Sequence, residues 1–70
     1  MSQLSINLLF PVLNERLRLE KGIEKTMKYL RENITIRYQL TILDNGSDDE
    51  TPEIGKRLEK KYKEVTSDFK

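Results

Sequence analysis

The sequence has no cysteine, no histidine and no tryptophan, and the first two absences exclude several kinds of site. Without cysteine there is no disulfide, no thiolate ligand and no thiol nucleophile. Without histidine, the commonest metal ligand and general base is missing as well. A metal centre or a catalytic pair in this chain would therefore have to be built from carboxylates alone.

Long hydrophobic runs are also lacking. The longest apolar stretch covers residues 8–13, far short of the ~20 residues that cross a bilayer. The amino terminus has no basic segment followed by an apolar core, so it does not resemble a secretory signal. From the sequence we expect a cytoplasmic protein with no membrane span.

An excess of one charge is missing too. Thirteen basic and twelve acidic residues are well mixed and leave a formal net charge of +1. Such a balance provides no field to hold a phosphate backbone, so we expect no nucleic-acid partner. At 70 residues the chain forms one small domain. A domain of this size buries only about 60% of its unfolded surface, so a partner would help to stabilise it.

The first third of the chain predicts a strand, a loop and a helix. Residues 4–10 alternate in polarity as a strand does, and Pro11 is expected to end the ladder because it lacks a backbone donor. After a loop over residues 11–15, a helix is predicted over residues 16–32. Four apolar residues recur on its inner face: Leu19, Ile23, Met27 and Leu30. We expect close packing at Gly22 and an ion pair between Glu24 and Lys28.

The middle of the chain predicts a second strand, a tight turn and a second helix. The strand covers residues 38–43, and Asn45 and Gly46 are the two residues expected to take positive φ in the turn. The second helix covers residues 52–63, with Thr51 expected to cap it through its hydroxyl. Its inner face carries Ile54, Leu58 and Tyr62. Residues 65–70 are either a tail or the start of a third strand.

This order predicts an α/β fold, a small β-α-β-α two-layer unit with parallel strands. Right-handed crossovers place both helices on one face of the sheet. The opposite, helix-free face would then be uncovered. Either the chain is a piece of a larger domain, or it dimerises through this face, or the face tolerates water because Ser5, Asn7, Gln39 and Thr41 are polar.

Ligands of open α/β sheets bind beyond the carboxyl ends of the strands. Residues 44–47 therefore form the best candidate site, and the alternative is a well-built turn with no ligand. A nicotinamide-binding unit is excluded because no G-x-G-x-x-G follows the first strand.

Two segments carry a resemblance to a known family: F-P-V-L-N-E at residues 10–15 and Y-Q-L-T-I-L-D-N-G-S-D-D-E-T-P-E-I at residues 38–54. In this order and spacing they resemble the opening of inverting family-2 glycosyltransferases, particularly the dolichyl- or polyprenyl-phosphate sugar synthases such as dolichyl-phosphate mannose synthase. The resemblance implies that residues 1–64 form a truncated half of a GT-A type nucleotide-sugar-binding domain.

The resemblance also implies a nucleotide pocket for a GDP- or UDP-sugar. Carried over by position, its residues are Pro11, Leu13, Glu15, Asp44, Asn45 and Gly46. Two positions depart from the family pattern: Leu13 replaces an aromatic residue that would pack on the base, and Asn45 replaces the second aspartate of a pair. We therefore expect weak nucleotide binding.

The family uses Mg²⁺ or Mn²⁺ with its nucleotide sugar, through regions that lie beyond the end of this sequence. The acidic run at residues 48–50 falls in another loop and is interpreted as charge at a helix start. No catalytic or metal-binding residue is assigned here, and we expect no sugar transfer by this chain alone. The alternative function is a non-enzymatic remnant that acts as a small protein-interaction module through the helix-free face.

Overall fold

The computed structural model describes residues 4–69, in three strands and two helices. In chain order they are β1 (Ser5–Val12), α1 (Leu19–Asn33), β2 (Arg37–Asp44), α2 (Thr51–Lys61) and β3 (Val65–Phe69). Met1 to Gln3, which the predicted domain includes, and Lys70, at the end of the predicted tail, lie outside the described residues. Neither helix within residues 4–69 is long and apolar enough to cross a membrane.

The sheet is parallel throughout, in the order β1-β2-β3. Two ion pairs join the helices, Arg57 with Glu20 at 3.2 Å and Lys61 with Glu24 at 2.6 Å, so both helices lie on one face. The predicted α/β fold is confirmed. The last segment is a third strand rather than a tail.

Strand β1 continues past Pro11 to Val12, two residues further than the sequence predicts. The carbonyl of Val12 accepts a hydrogen bond from the backbone N–H of Asn45 at 3.1 Å, so the backbone of Val12 points toward β2. Neighbouring residues of a strand point their backbone groups to opposite sides, and the position of Pro11 therefore faces the free edge. The missing N–H of Pro11 is tolerated there because the hydrogen bonds between β1 and β2 do not involve that position.

Helix α1 begins at Leu19 instead of residue 16, because the backbone N–H groups of Arg18 and Leu19 both donate to the Glu15 carbonyl in a tight turn before it. The predicted inner face is confirmed, since Leu19, Ile23, Met27 and Leu30 are buried.

Two predictions for α1 are wrong. A Cβ on Gly22 would meet nothing within 4 Å, so this glycine is not a packing contact. Glu24 pairs with Lys61 of α2 rather than with Lys28, because α2 lies alongside α1 and brings its lysine within reach.

The core lies between the sheet and the two helices. Besides the inner face of α1, its buried apolar members are Val12, Leu40, Ile42, Ile54, Leu58, Tyr62 and Val65. Helix α2 packs closely against β3 at Gly55, where a Cβ would come within 2.6 Å of the Ser67 hydroxyl oxygen. Here, unlike at Gly22, the missing side chain allows helix and strand to pack closely.

The helix-free face is mainly polar and accessible. Ser5, Asn7 and Gln39 are exposed there, and Thr41 is half-buried in the middle of the sheet. Its most exposed apolar side chain is Leu9, at 59%. Polar alternation on this face follows the sequence pattern, since residues on one side of a strand recur at every second position.

Candidate functional site at the carboxyl edge of the sheet

Two loops meet where β1 and β2 end: the β1–α1 loop, residues 13–18, and the β2–α2 loop, residues 45–50. Val12 and Asp44 are register partners in adjacent parallel strands, which brings the starts of the loops side by side. The hydrogen bond from Asn45 N–H to the Val12 carbonyl fixes this junction. The predicted parallel arrangement of the strands thus brings both loops to one edge of the sheet.

Asp44 shapes the β2–α2 loop from inside. It is 1% exposed, and its Oδ1 accepts hydrogen bonds from the backbone N–H groups of Gly46 at 3.2 Å and Ser47 at 2.9 Å. The other carboxylate oxygen, Oδ2, is buried and has no hydrogen-bond partner among the described residues. An aspartate that closes its own turn in this way fixes the loop backbone. Asp44 thus caps the turn of its own loop.

Positive φ occurs at one predicted residue and at one that was not predicted. Gly46 has φ 94°, as the turn requires, whereas the non-glycine residue with positive φ among residues 4–69 is Asn14, at 52°, and not Asn45. Asparagine tolerates this left-handed region better than most side chains. The β1–α1 loop therefore turns at Asn14.

Asn14 is bound to the β2–α2 loop through both its backbone and its side chain. Its N–H donates to the Ser47 hydroxyl oxygen at 2.8 Å, and its Oδ1 accepts from the N–H of Asp48 at 2.8 Å. These reciprocal bonds join residues that are more than thirty positions apart. They hold the turn at Asn14 against the neighbouring loop.

A second link runs through Thr51 and Asp49. The Thr51 hydroxyl oxygen accepts from the N–H of Glu15 at 2.9 Å and donates its proton to Asp49 Oδ1. Helix α2 starts after Glu50, with no side-chain cap bond, so the prediction that Thr51 caps the helix through its hydroxyl is wrong. The hydroxyl is used instead by the other loop. Pro52 does lie at the helix start, as predicted.

The Asp49 carboxylate is the acceptor at the centre of this link. Its Oδ1 accepts from the N–H of Thr51 at 2.8 Å, and its Oδ2 lies 3.4 Å from the N–H of Arg16. Partial desolvation raises the pKa of Asp49, but the bonds from Thr51 and from the Arg16 backbone, together with the Arg16 charge, outweigh it. The net effect is a pKa below the usual range of an aspartate.

The six predicted nucleotide-binding residues fall into two groups. Four of them are exposed at the edge: Pro11, Leu13, Asn45 and Gly46. Asp44 is buried, and the Glu15 carboxylate is paired with the guanidinium of Arg18 at 2.9 Å. The structure therefore brings all six positions to one edge but offers a ligand mainly the exposed four.

Sequence reasoning missed the residues that hold the loops together. Asn14 had one usable signal, because asparagine is enriched at positive φ and lies just after a strand. For the hydroxyls of Ser47 and Thr51 there was none, since their partners are distant in the chain and follow no period. Their roles are visible only when the two strand ends are side by side.

The acidic residues of the β2–α2 loop do not form a metal site. Asp49 is committed to Thr51 and Arg16, and Glu50 lies 3.5 Å from the Arg16 guanidinium. Within residues 4–69 no group of three or more acidic side chains is arranged to hold an ion. The residues present here thus do not fit the divalent cation that the resemblance implies.

A comparison with protein-family models matches residues 8–68 to the model described as glycosyl transferase family 2. No curated protein and no solved structure matches the chain. The family match includes β1 from Leu8, both loops, both helices and almost all of β3. Since it extends over most of the sequence, the chain belongs to glycosyl transferase family 2.

Proposed function

We propose that this chain is a nucleotide-recognition half-module, similar to the start of dolichyl-phosphate mannose synthase, that binds a GDP- or UDP-sugar at the carboxyl edge. The observation that carries this proposal is the joining of the two family segments at one edge, where one exposed candidate position lies at the end of β1 and three lie on fixed loops. A preformed loop surface reduces the entropy lost on binding.

Within the site, the exposed and buried residues would have different tasks. The amide of Asn45 is exposed, and its oxygen can accept from an N–H on the edge of uracil or guanine. Leu13, 54% exposed, offers an apolar surface to the face of the base. Asp44 would act indirectly, by holding the backbone that presents Asn45.

The affinity should be low for two physical reasons. A neutral amide gives a hydrogen bond roughly half as strong as one to a carboxylate, and leucine lacks the stacking of an aromatic ring. The residues described here do not fit a metal ion, so we assign no transfer step to them.

The test is a titration with GDP and UDP, followed through backbone amide resonances. We expect the amides of Leu13, Asn45 and Gly46 to shift at millimolar nucleotide. Asn45→Asp should strengthen binding several-fold, because it restores a charged acceptor, and Asn45→Ala should weaken it. Thr66→Ala, on β3 away from these loops, is the matched control.

Unmoved resonances in both loops at millimolar nucleotide would reject this function. They would favour the second candidate, a non-enzymatic interaction module, which the exposed Leu9 on the helix-free face supports. Equal responses of the Asn45 and Thr66 variants would show binding elsewhere on the molecule and would also reject the site.

A further inference from the structure

Asn45 differs from the other asparagines of the chain in the residue that follows it. Glycine comes after Asn45, whereas leucine, glutamate and isoleucine come after Asn7, Asn14 and Asn33. An asparagine can react with its own backbone, because the nitrogen of the next residue can close a five-membered ring onto the side-chain carbonyl carbon. A side chain on that next residue hinders the approach, and glycine has none. Ring closure is therefore least hindered at Asn45.

The side chain of Asn45 is also free to turn toward the backbone. It is exposed, and the hydrogen bonds that Asn45 makes within residues 4–69 involve its backbone alone. By contrast, Asn14 Oδ1 accepts a backbone N–H of the β2–α2 loop at 2.8 Å, and Asn33 Nδ2 donates to the Tyr29 carbonyl at 2.9 Å. A side chain held in this way must give up a hydrogen bond before it can react.

The attacking nitrogen is held firmly at the other three positions. The N–H of Glu15 donates to the Thr51 hydroxyl at 2.9 Å, and the N–H of Ile34 donates to a carbonyl of the last turn of α1, also at 2.9 Å. The N–H of Leu8 faces β2, as the carbonyl of Val12 does, because alternate residues of a strand direct their backbone groups to the same side. Each of these nitrogens belongs to a bond that the fold maintains.

The N–H of Gly46 is held less firmly. Its bond to Asp44 Oδ1 is 3.2 Å long, compared with 2.9 Å for the bond that Ser47 makes to the same oxygen. Gly46 is exposed, has φ 94° and lies outside the helices and strands. Exposed hydrogen bonds in loops open at a low cost in free energy. When this bond opens, the Gly46 nitrogen can attack the side chain before it.

We propose that Asn45 is a site of self-modification, at which the chain converts its own side-chain amide to a carboxylate. The Gly46 nitrogen bonds to Cγ of Asn45, the Cγ–Nδ2 bond breaks, and ammonia leaves with the proton that Gly46 gives up. Water then adds to one of the two ring carbonyl carbons and breaks the bond from that carbon to the Gly46 nitrogen. Opening at Cγ gives aspartate, and opening at the main-chain carbon gives isoaspartate. Water is consumed and ammonia is released, with no other reactant.

Both products place a negative charge at the candidate site. Aspartate keeps the backbone unchanged, and its carboxylate is a stronger acceptor than the amide. Isoaspartate adds one carbon to the main chain between the N–H bonded to Val12 and the N–H bonded to Asp44, so it should misalign these two bonds. If the nucleotide site proposed above is correct, on which this consequence rests, the aspartate form should bind several-fold more tightly and the isoaspartate form more weakly.

The test is a peptide map of the native chain after incubation at mildly alkaline pH, under conditions in which circular dichroism shows that it is folded. Mass spectrometry follows all four asparagines in one digest, so Asn7, Asn14 and Asn33 are internal controls. We expect Asn45 to be converted several-fold faster than any of them, to both products, with one ammonia released for each conversion. Asn45→Gln is the matched control, because glutamine would have to close a larger ring and should release ammonia far more slowly.

Three results would overturn the proposal: conversion of Asn45 no faster than that of the other asparagines, conversion that occurs only in the urea-denatured chain, or equal ammonia release from Asn45→Gln. A nucleotide titration of the converted chain separates this proposal from the proposed function. Conversion without any change in nucleotide binding would contradict the nucleotide site and leave the modification in place. Nucleotide binding without conversion would do the reverse.

Discussion

The two loops at the carboxyl edge differ in what supports them. The β2–α2 loop closes on itself, because Asp44 caps the N–H groups of Gly46 and Ser47 and Asp49 caps Thr51. The β1–α1 loop has three backbone donors satisfied by the β2–α2 loop and by the first residue of α2. The N–H groups of Asn14, Glu15 and Arg16 donate in turn to Ser47, Thr51 and Asp49.

This difference indicates a hierarchy: the β2–α2 loop supports the β1–α1 loop more than it is supported by it. The β2–α2 loop should keep its conformation when the other loop is perturbed, whereas damage to it should loosen both. Buried polar groups that lose their partners carry the full desolvation penalty, so the interior residues should have the largest effects.

The largest effect is expected for Asp44→Ala, which removes the acceptor of two backbone N–H groups at a buried position. We expect the free energy of unfolding to fall by about 2–4 kcal/mol. Urea denaturation measures this loss, and hydrogen exchange should show faster exchange in both loops. Asp44→Asn keeps an acceptor oxygen and should lose less; an equal loss would show that the hydrogen bonds are not the cause.

Next comes Thr51→Val, which removes the hydroxyl but keeps the shape of the buried side chain. Glu15 N–H loses its acceptor and Asp49 loses a donor, so unfolding should become easier by about 1–2 kcal/mol. Hydrogen exchange should accelerate at Glu15. Thr51→Ser retains the hydroxyl and should behave nearly as the native chain, and faster exchange in that control would contradict the link.

A more local effect is expected at Asn14, and the glycine variant should lose less stability than Thr51→Val. Asn14→Gly keeps the positive φ but leaves the N–H of Asp48 without its acceptor, at a loss of about 0.5–1 kcal/mol. Asn14→Ala should lose about 1–2 kcal/mol more because of its backbone strain. Exchange at Ser47 should stay slow in both variants; fast exchange there would reverse the proposed hierarchy.

The smallest effect concerns pH and Asp49. The pKa of this carboxyl is lower in the folded chain than its ordinary value of 3.8, so its ionised form favours folding. This contribution is fully present above pH 3.8 and is lost as the pH falls through the lower, folded-state pKa. As the pH is lowered through this range, the urea concentration at the unfolding midpoint should fall less steeply in Asp49→Asn than in the native chain. Identical slopes would contradict this role of Asp49.

The sequence predicted the elements whose apolar residues recur at a regular spacing. The inner faces of both helices were readable because apolar residues recur every three or four positions. The end of β1 could not be predicted in this way. Whether Pro11 fits in the strand depends on which side of β1 forms the hydrogen bonds to β2. Gly22 and Gly55 show the same limit: one faces open space and the other contacts Ser67, and only the packing distinguishes them.

For the candidate site, the sequence predicted where the loops lie but not how they are held. Strand order and the resemblance were sufficient to place Leu13 and Asn45 at one edge. The bonds of Ser47, Thr51 and Asp49 to the other loop depend on tertiary distance, which no local pattern encodes. The sequence also could not show that Glu15 is paired with Arg18.

The ion pairs between the helices imply that α1 and α2 begin at different positions along their common direction. Glu20 lies beside Arg57 and Glu24 beside Lys61, so the helices run in the same direction with a constant offset. Helix α1 starts one residue before its first pair, whereas α2 starts six residues before, which makes an overhang of roughly 8 Å at 1.5 Å per residue. The start of α2 thus extends beyond the start of α1, and there its Thr51 accepts the N–H of Glu15 from the β1–α1 loop. A version of α2 shortened by one turn at its start would remove that contact.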